Sequence, residues 1–257
     1  MKRAAALALL CLAAAWPLAG GGRAQESAST AETALTALLA DPAVVKALDE
    51  IKADDARTLA EQRRITEIPA PPFKEHTRAE FYLQRFHDLG LHDAALDSEG
   101  NVVALRKGSG KGLMLVISAH LDTVFPENTD VTVREADGVL RAPGIGDDAR
   151  GLAALLSVIE AMNANALRTF GDVMLVGTLG EEELGNLRGV KALFRDHKNG
   201  IPAVTVGGGE GGNWHSFNEW YKPTDAYLGP QNALLTLLLL AGMEGVSAPV
   251  LPRRGSR

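Results

Sequence analysis

Apolar positions recur with two different periods along this chain. From Leu35 to Ile68 the spacing is helical, with a break at Asp41-Pro42 because proline suits a first turn. Ile68-Pro69-Ala70-Pro71-Pro72 ends that stretch, since proline cannot continue a helix. Thr77 to Leu89 predicts a second amphipathic helix, with Ala79, Phe81, Phe86 and Leu89 as its core face and Gly90 as its stop. Asn101 to Leu105 predicts a strand. Then the pattern changes. Leu113–Ala119 (LMLVISA), Val173–Leu179 (VMLVGTL) and the shorter Ala203–Val206 (AVTV) are continuous apolar runs. Such runs predict strands buried on both faces, as in parallel sheets. Ala149–Asn163, with Leu152, Leu155, Leu156 and Ile159, predicts a helix between the first two runs, a β-α-β unit. Leu187–His197 and Ala226–Leu240 predict further helices. Leu237–Leu240 is too short a run to span a membrane and reads as buried. The expected class is α/β with a mostly parallel central sheet in three layers.

Composition fits a globular protein: 257 residues, 46% hydrophobic and 23% charged. One segment stands apart. Met1-Lys2-Arg3 is basic, Ala4–Trp16 is apolar, and Gly22-Arg23-Ala24 offers small residues for cleavage. Residues 1–24 read as a secretory signal peptide rather than a membrane anchor. The formal net charge is −6. Removing the signal takes away Lys2, Arg3 and Arg23 and no acid, so the mature chain, 25–257, is more acidic still. That argues against nucleic acid or anionic lipid as a partner. The single cysteine, Cys11, lies in the signal. Any metal must therefore be held by His, Asp and Glu. A secreted chain without cysteine suits a bacterial periplasm. Residues 25–34, rich in Ser, Ala and Thr, are expected to be mobile.

Chemistry gathers at the strand ends. His120-Leu121-Asp122 follows the first run, Glu181-Glu182-Glu183 the second, and a glycine-rich turn (207–212) leading to His215 the third. Pro143-Gly144-Ile145-Gly146 leads to Asp147-Asp148 before the helix. Each piece alone has a plain explanation: a structural histidine, a helix cap at Asp147-Asp148, a solvated acidic turn. Together, in order and each at a strand end where open α/β sheets bind ligands, they point to a zinc or related divalent site.

Four segments carry a resemblance: SAHLDTVFP (118–126), APGIGDDARGLAALL (142–156), GTLGEEELGNLRGVKALF (177–194) and GIPAVTVGGGEGGNWHS (200–216). With EIPAPPFKEHTRAEF (67–81) and DSEGNVVALRKG (97–108), they resemble the zinc metallopeptidase family of glutamate carboxypeptidase, peptidase T, acetylornithine deacetylase and aminoacylase. The resemblance implies two zinc ions, with cobalt or manganese as substitutes, bridged by Asp147. His120 matches a ligand of one ion, and Glu182 and His215 match ligands of the other. Asp122 matches the carboxylate that orients the ligand histidine, and Glu181 the general base. The bond between Asp147 and Asp148 is cis in that family.

The chain departs from the family in one respect. The resemblance implies an inserted lid and dimerisation domain after the helix ending near Phe194. Here Phe194–Asn199 runs straight into Gly200, so the lid is expected to be missing, with a junction near 199–200. The last acidic ligand of the His120 ion would be lost with it, leaving one complete zinc site. Glu210, the only acid between Lys198 and Asn218, is not assigned as its replacement. The leading expectation is a metal-dependent hydrolase of peptide or N-acyl amino acid amide bonds, impaired by loss of the lid and monomeric. The alternatives are an inactive metal-binding remnant and a periplasmic binding protein.

Overall fold

The protein is described by a computed structural model covering residues 21–110, 112–196 and 202–251. Most of the expected signal peptide and the expected 199–200 junction lie outside the described residues.

The described residues open with three helices: α1 (Gly21–Ala40), α2 (Pro42–Ala53) and α3 (Asp55–Thr66). The Asp41 side chain accepts the N–H groups of Ala43 and Val44 at 2.9 and 3.1 Å, with Pro42 in the first turn, so the break falls where proline and cap chemistry direct it. A second break, at Asp54, was not foreseen. Residues 25–34, expected to be mobile, lie inside α1 instead. The carboxyl half of that helix is anchored by Leu38, which is fully buried, and packing of an apolar face stabilises a helix more than composition does. In α4 (His76–Asp88) the buried residues are Arg78, Ala79, Tyr82 and Phe86, while Phe81 and Leu89 are only partly covered. The core face is thus rotated from the expected one. Tyr82 can be buried because its hydroxyl donates to the Leu152 carbonyl at 2.9 Å.

There follow β1 (Ala95–Leu96), β2 (Val102–Arg106), β3 (Leu115–His120), the pair β4 (Arg134–Ala136) and β5 (Val139–Arg141), and α5 (Ala149–Ala164). Then come β6 (Val173–Thr178), α6 (Arg188–Asp196), β7 (Ala203–Thr205), β8 (Glu210–Gly212), β9 (Trp220–Lys222) and α7 (Leu228–Ala241). The central sheet has the order β1-β2-β6-β3-β7. β6, β3 and β7 are parallel, and β1 and β2 extend the sheet antiparallel. The crossover from β3 through α5 to β6 is the expected β-α-β unit.

The two faces of this sheet are covered unequally. Leu115, Ile117, Ala119 and Leu175 join one large core with Leu152, Leu155 and Ile159 of α5 and Leu234 and Leu238 of α7. On the opposite face Val116, Met174 and Val176 meet Leu193 of α6. The result is three layers, one thick and one formed by a single nine-residue helix. A second, antiparallel sheet (β4-β5-β9-β8) was not foreseen. Its strands are three residues long and β8 is Glu-Gly-Gly, too short and too glycine-rich to show an alternating pattern. No helix among the described residues is long and apolar enough to cross a membrane.

Candidate metal centre

The parallel register aligns His120 with Thr178, so the ends of β3 and β6 lie side by side. His120 is the last residue of its strand rather than the first of the loop. Its Nε2 is 2.9 Å from Asp147 Oδ1, and its Nδ1 is 3.0 Å from the Asp122 main-chain oxygen. Asp147 Oδ2 is 3.2 Å from His215 Nε2, which is 3.0 Å from Glu182 Oε1. Among the described residues two donor groups result, each with its atoms within 4.8 Å of one another: Asp147 with Glu182 and His215, and His120 with Glu181 and Glu182. Oxygen and imidazole donors without sulfur fit zinc, and also fit cobalt or manganese. Glu183 is exposed, which separates it from the pair before it.

Asp147 and Asp148 divide their labour across a cis peptide bond. Asp147 turns to the two histidines. Asp148 caps α5, its Oδ1 accepting from the Gly151 N–H at 2.9 Å, and its Oδ2 accepts from the His120 N–H at 3.0 Å. Capping and site chemistry, alternatives at the level of sequence, are both present on neighbouring residues.

Asp122 is almost wholly buried. Its carboxylate accepts the N–H of Glu181 at 3.0 Å and of Glu182 at 2.9 Å, while His120 Nδ1 lies 3.7 Å from Asp122 Oδ1. The carboxylate expected to orient the histidine thus holds the glutamate pair foremost, and the histidine is held by the Asp122 carbonyl. Arg78 buttresses this turn from beneath, donating to the Leu121 carbonyl at 2.8 Å.

Glu219 was not singled out from the sequence. It is fully buried and accepts three main-chain N–H groups: Gly144 at 3.0 Å, Gly146 at 2.8 Å and Asp147 at 3.0 Å. Its only signal is a lone acid four residues after His215, beside apolar aromatics. Glu210 is engaged elsewhere, paired with Lys222 at 3.0 Å.

The electrostatics suit a cation. Burial opposes charge on His120, but the Asp122 and Asp147 carboxylates outweigh it and raise its pKa well above the usual imidazole value. His215 is raised too, burial being outweighed by Glu182 and Asp147. Burial pushes Asp148 up to about 7, against the pull of His120, and pushes Glu182 up, also against His120. So dense a cluster of carboxylates holds protons on its histidines when no metal competes for them. Beside it lies a cleft of about 380 Å³, lined by His120, Asp147, Glu181, Leu187, Val190 and Val206 among others.

Residues 116–200 match the model of Peptidase family M20/M25/M40. A Thermococcus kodakarensis protein, provisionally named a LysW-lysine/LysW-ornithine hydrolase, is 30% identical over 153 residues, 56% of this chain and 40% of that protein. Among solved structures, the aminopeptidase PepT of Bacillus cereus superposes with a TM-score of 0.51 at 22% identity, covering 61% of this chain and 44% of PepT. The aminopeptidase APDkam598 of Desulfurococcus kamchatkensis gives 0.53 at 12% identity, covering 71% of this chain and 94% of that one. These likenesses are of fold: the α/β layers with the mostly parallel central sheet recur in both structures. The sequence likeness to the M20/M25/M40 peptidase family is thus carried by residues 116–200, the stretch that holds His120, Asp147, Glu181 and Glu182. The chain spans about 40% of the length of the first curated relative it matches.

Proposed function

We propose that this chain hydrolyses amide bonds in small peptides or N-acyl amino acids, using a divalent metal held by Asp147, Glu182 and His215. The observation that carries this reading is the convergence of those three donors within 4.8 Å, with Glu181 close by and facing the same cleft. A zinc ion held there would lower the pKa of a bound water to about 7 and polarise the substrate carbonyl. Glu181 takes the proton from the attacking water and returns it to the leaving amine. Asp122 anchors the main chain on both sides of the peptide between Glu181 and Glu182, so that one carboxylate serves as base while its neighbour binds metal. The cleft's aliphatic wall (Leu187, Val190, Val206) accommodates an uncharged substrate group.

The second ion is held less completely in this reading. His120 has Asp147 beside it and the glutamate pair within reach. Glu219 does not supply the further acid, because its oxygens are taken by main-chain donors. A loss of the family's lid near 199–200 belongs to the same proposal, as does export directed by residues 1–24. A second ion that must share Asp147 and Glu182 with the first is held more weakly than one with three donors of its own, which favours a slow enzyme, and at the limit a metal-binding remnant. The test is zinc content together with turnover. Chelator-sensitive cleavage of dipeptides or N-acetyl amino acids, abolished in Glu181→Gln, supports the enzyme. Zinc binding without turnover on either substrate class supports the remnant, and absence of zinc binding overturns both.

A further inference from the structure

The three N–H groups that converge on Glu219 belong to the loop presenting Asp147, and Glu219 itself belongs to the loop presenting His215. The Glu219 N–H donates to the Ser216 carbonyl at 3.1 Å, and the Asn213 side chain donates to the Asn218 carbonyl at 3.3 Å, so the 213–219 loop is folded back on itself. A second tie runs beside the first. The Trp214 ring packs on Gly146 so closely that a methyl group there would collide with it.

Among the described residues no cation pairs with Glu219, and a fully buried carboxylate without one is costly. Three N–H donors compensate for it, and burial still leaves its pKa raised. A loop could be closed by a neutral acceptor at less cost. A carboxylate does two things that a neutral acceptor does not: with two oxygens it spans donors on residues 144, 146 and 147 at once, and it adds negative charge next to a cation site.

We propose that Glu219 is a positioning residue of the metal centre, locking the Asp147 loop to the His215 loop so that ligands from two distant stretches of chain reach one ion. The inference rests on the metal-centre reading above. It assigns to Glu219 no contact with substrate or metal.

The test uses the full chain and measures zinc affinity by competition with a chromophoric chelator, the visible spectrum of the cobalt-loaded protein, and thermal stability. Glu219→Gln keeps the shape but turns an N–H donor against one of the three main-chain donors. We expect zinc affinity to fall about 10–100-fold, the range typical of groups that orient ligands, with a changed cobalt spectrum. Tyr82→Phe, which loses a buried hydrogen bond to the Leu152 carbonyl and no contact with a ligand side chain, is expected to lower the melting temperature and leave both metal readouts unchanged. Should Glu219→Gln not fold, Glu219→Asp, which keeps the charge but draws it back by one methylene, makes the same comparison. Wild-type zinc affinity and an unaltered cobalt spectrum in the folded Glu219 variant, with zinc lost in His215→Ala, would overturn the positioning role and leave the metal centre standing. No zinc binding by the wild-type chain would overturn the metal centre, and the role of Glu219 with it.

Discussion

The Asp122 carboxylate and the Glu182 main chain meet at 2.9 Å, with the Glu181 N–H on the other oxygen at 3.0 Å. One acid just past the end of β3 thus fixes the direction of two acids just past the end of β6. In Asp122→Asn, one of those N–H groups faces an amide donor instead of an acceptor. We expect zinc affinity to drop about 10–100-fold, with near-native circular dichroism. An unchanged affinity would show that the glutamate pair holds its geometry without Asp122.

Glu181→Gln separates base from ligand. The amide cannot take a proton, so turnover is expected to fall roughly 10²–10⁴-fold, while zinc content stays at the wild-type level. Loss of zinc in this variant would instead make Glu181 a ligand, in keeping with its place near His120 and Glu182.

Metal should stabilise the fold, because Asp147, Glu182 and His215 come from three separate loops. At a free zinc concentration 100 times the dissociation constant, the gain is about 2.7 kcal/mol, visible as a rise in melting temperature that a chelator reverses. The ligand histidines must shed protons to bind, so the rise should shrink on acidification. His215→Ala is expected to show no rise at all. An equal rise in that variant would place the ion elsewhere.

Much of this centre was legible in the sequence, and the reasons are physical. A strand buried on both faces cannot hide its apolar run, so the runs holding β3 and β6 stood out, each followed at once by its polar residues; β7, expected to be buried likewise, pairs among the described strands only with β3 and is largely exposed. The cap at Asp148 was legible because it lies one residue before a helix. What stayed hidden depends on tertiary contact. The three donors on Glu219 lie more than 70 positions away in sequence. Tyr82 rather than Phe81 lies on the buried face of α4, where the Leu152 carbonyl receives its hydroxyl, a partner 70 positions away. The small antiparallel sheet escaped because its strands are a single short segment each, held by pairing rather than by pattern.

Gly151, in the first turn of α5, faces the Asp148 carboxylate and the Val206 carbonyl so closely that a methyl group would collide with both. Gly→Ala inside a helix ordinarily stabilises by roughly 0.5–1 kcal/mol. Here we expect the opposite sign, a lowered melting temperature, together with weakened zinc binding, because the displaced carboxylate also holds the His120 N–H. A stabilised variant with full zinc affinity would show that α5 can shift to make room.

That shared carboxylate has an evolutionary consequence. Asp148 starts α5, almost all of which is buried, and also fixes the end of the strand bearing His120. Drift at position 148 therefore cannot trade robustness against reactivity, as a cap remote from the chemistry could. A lineage that abandoned catalysis would still be held to aspartate there by the needs of its core, so the persistence of this residue among relatives would testify to folding and would be no proof of a working enzyme.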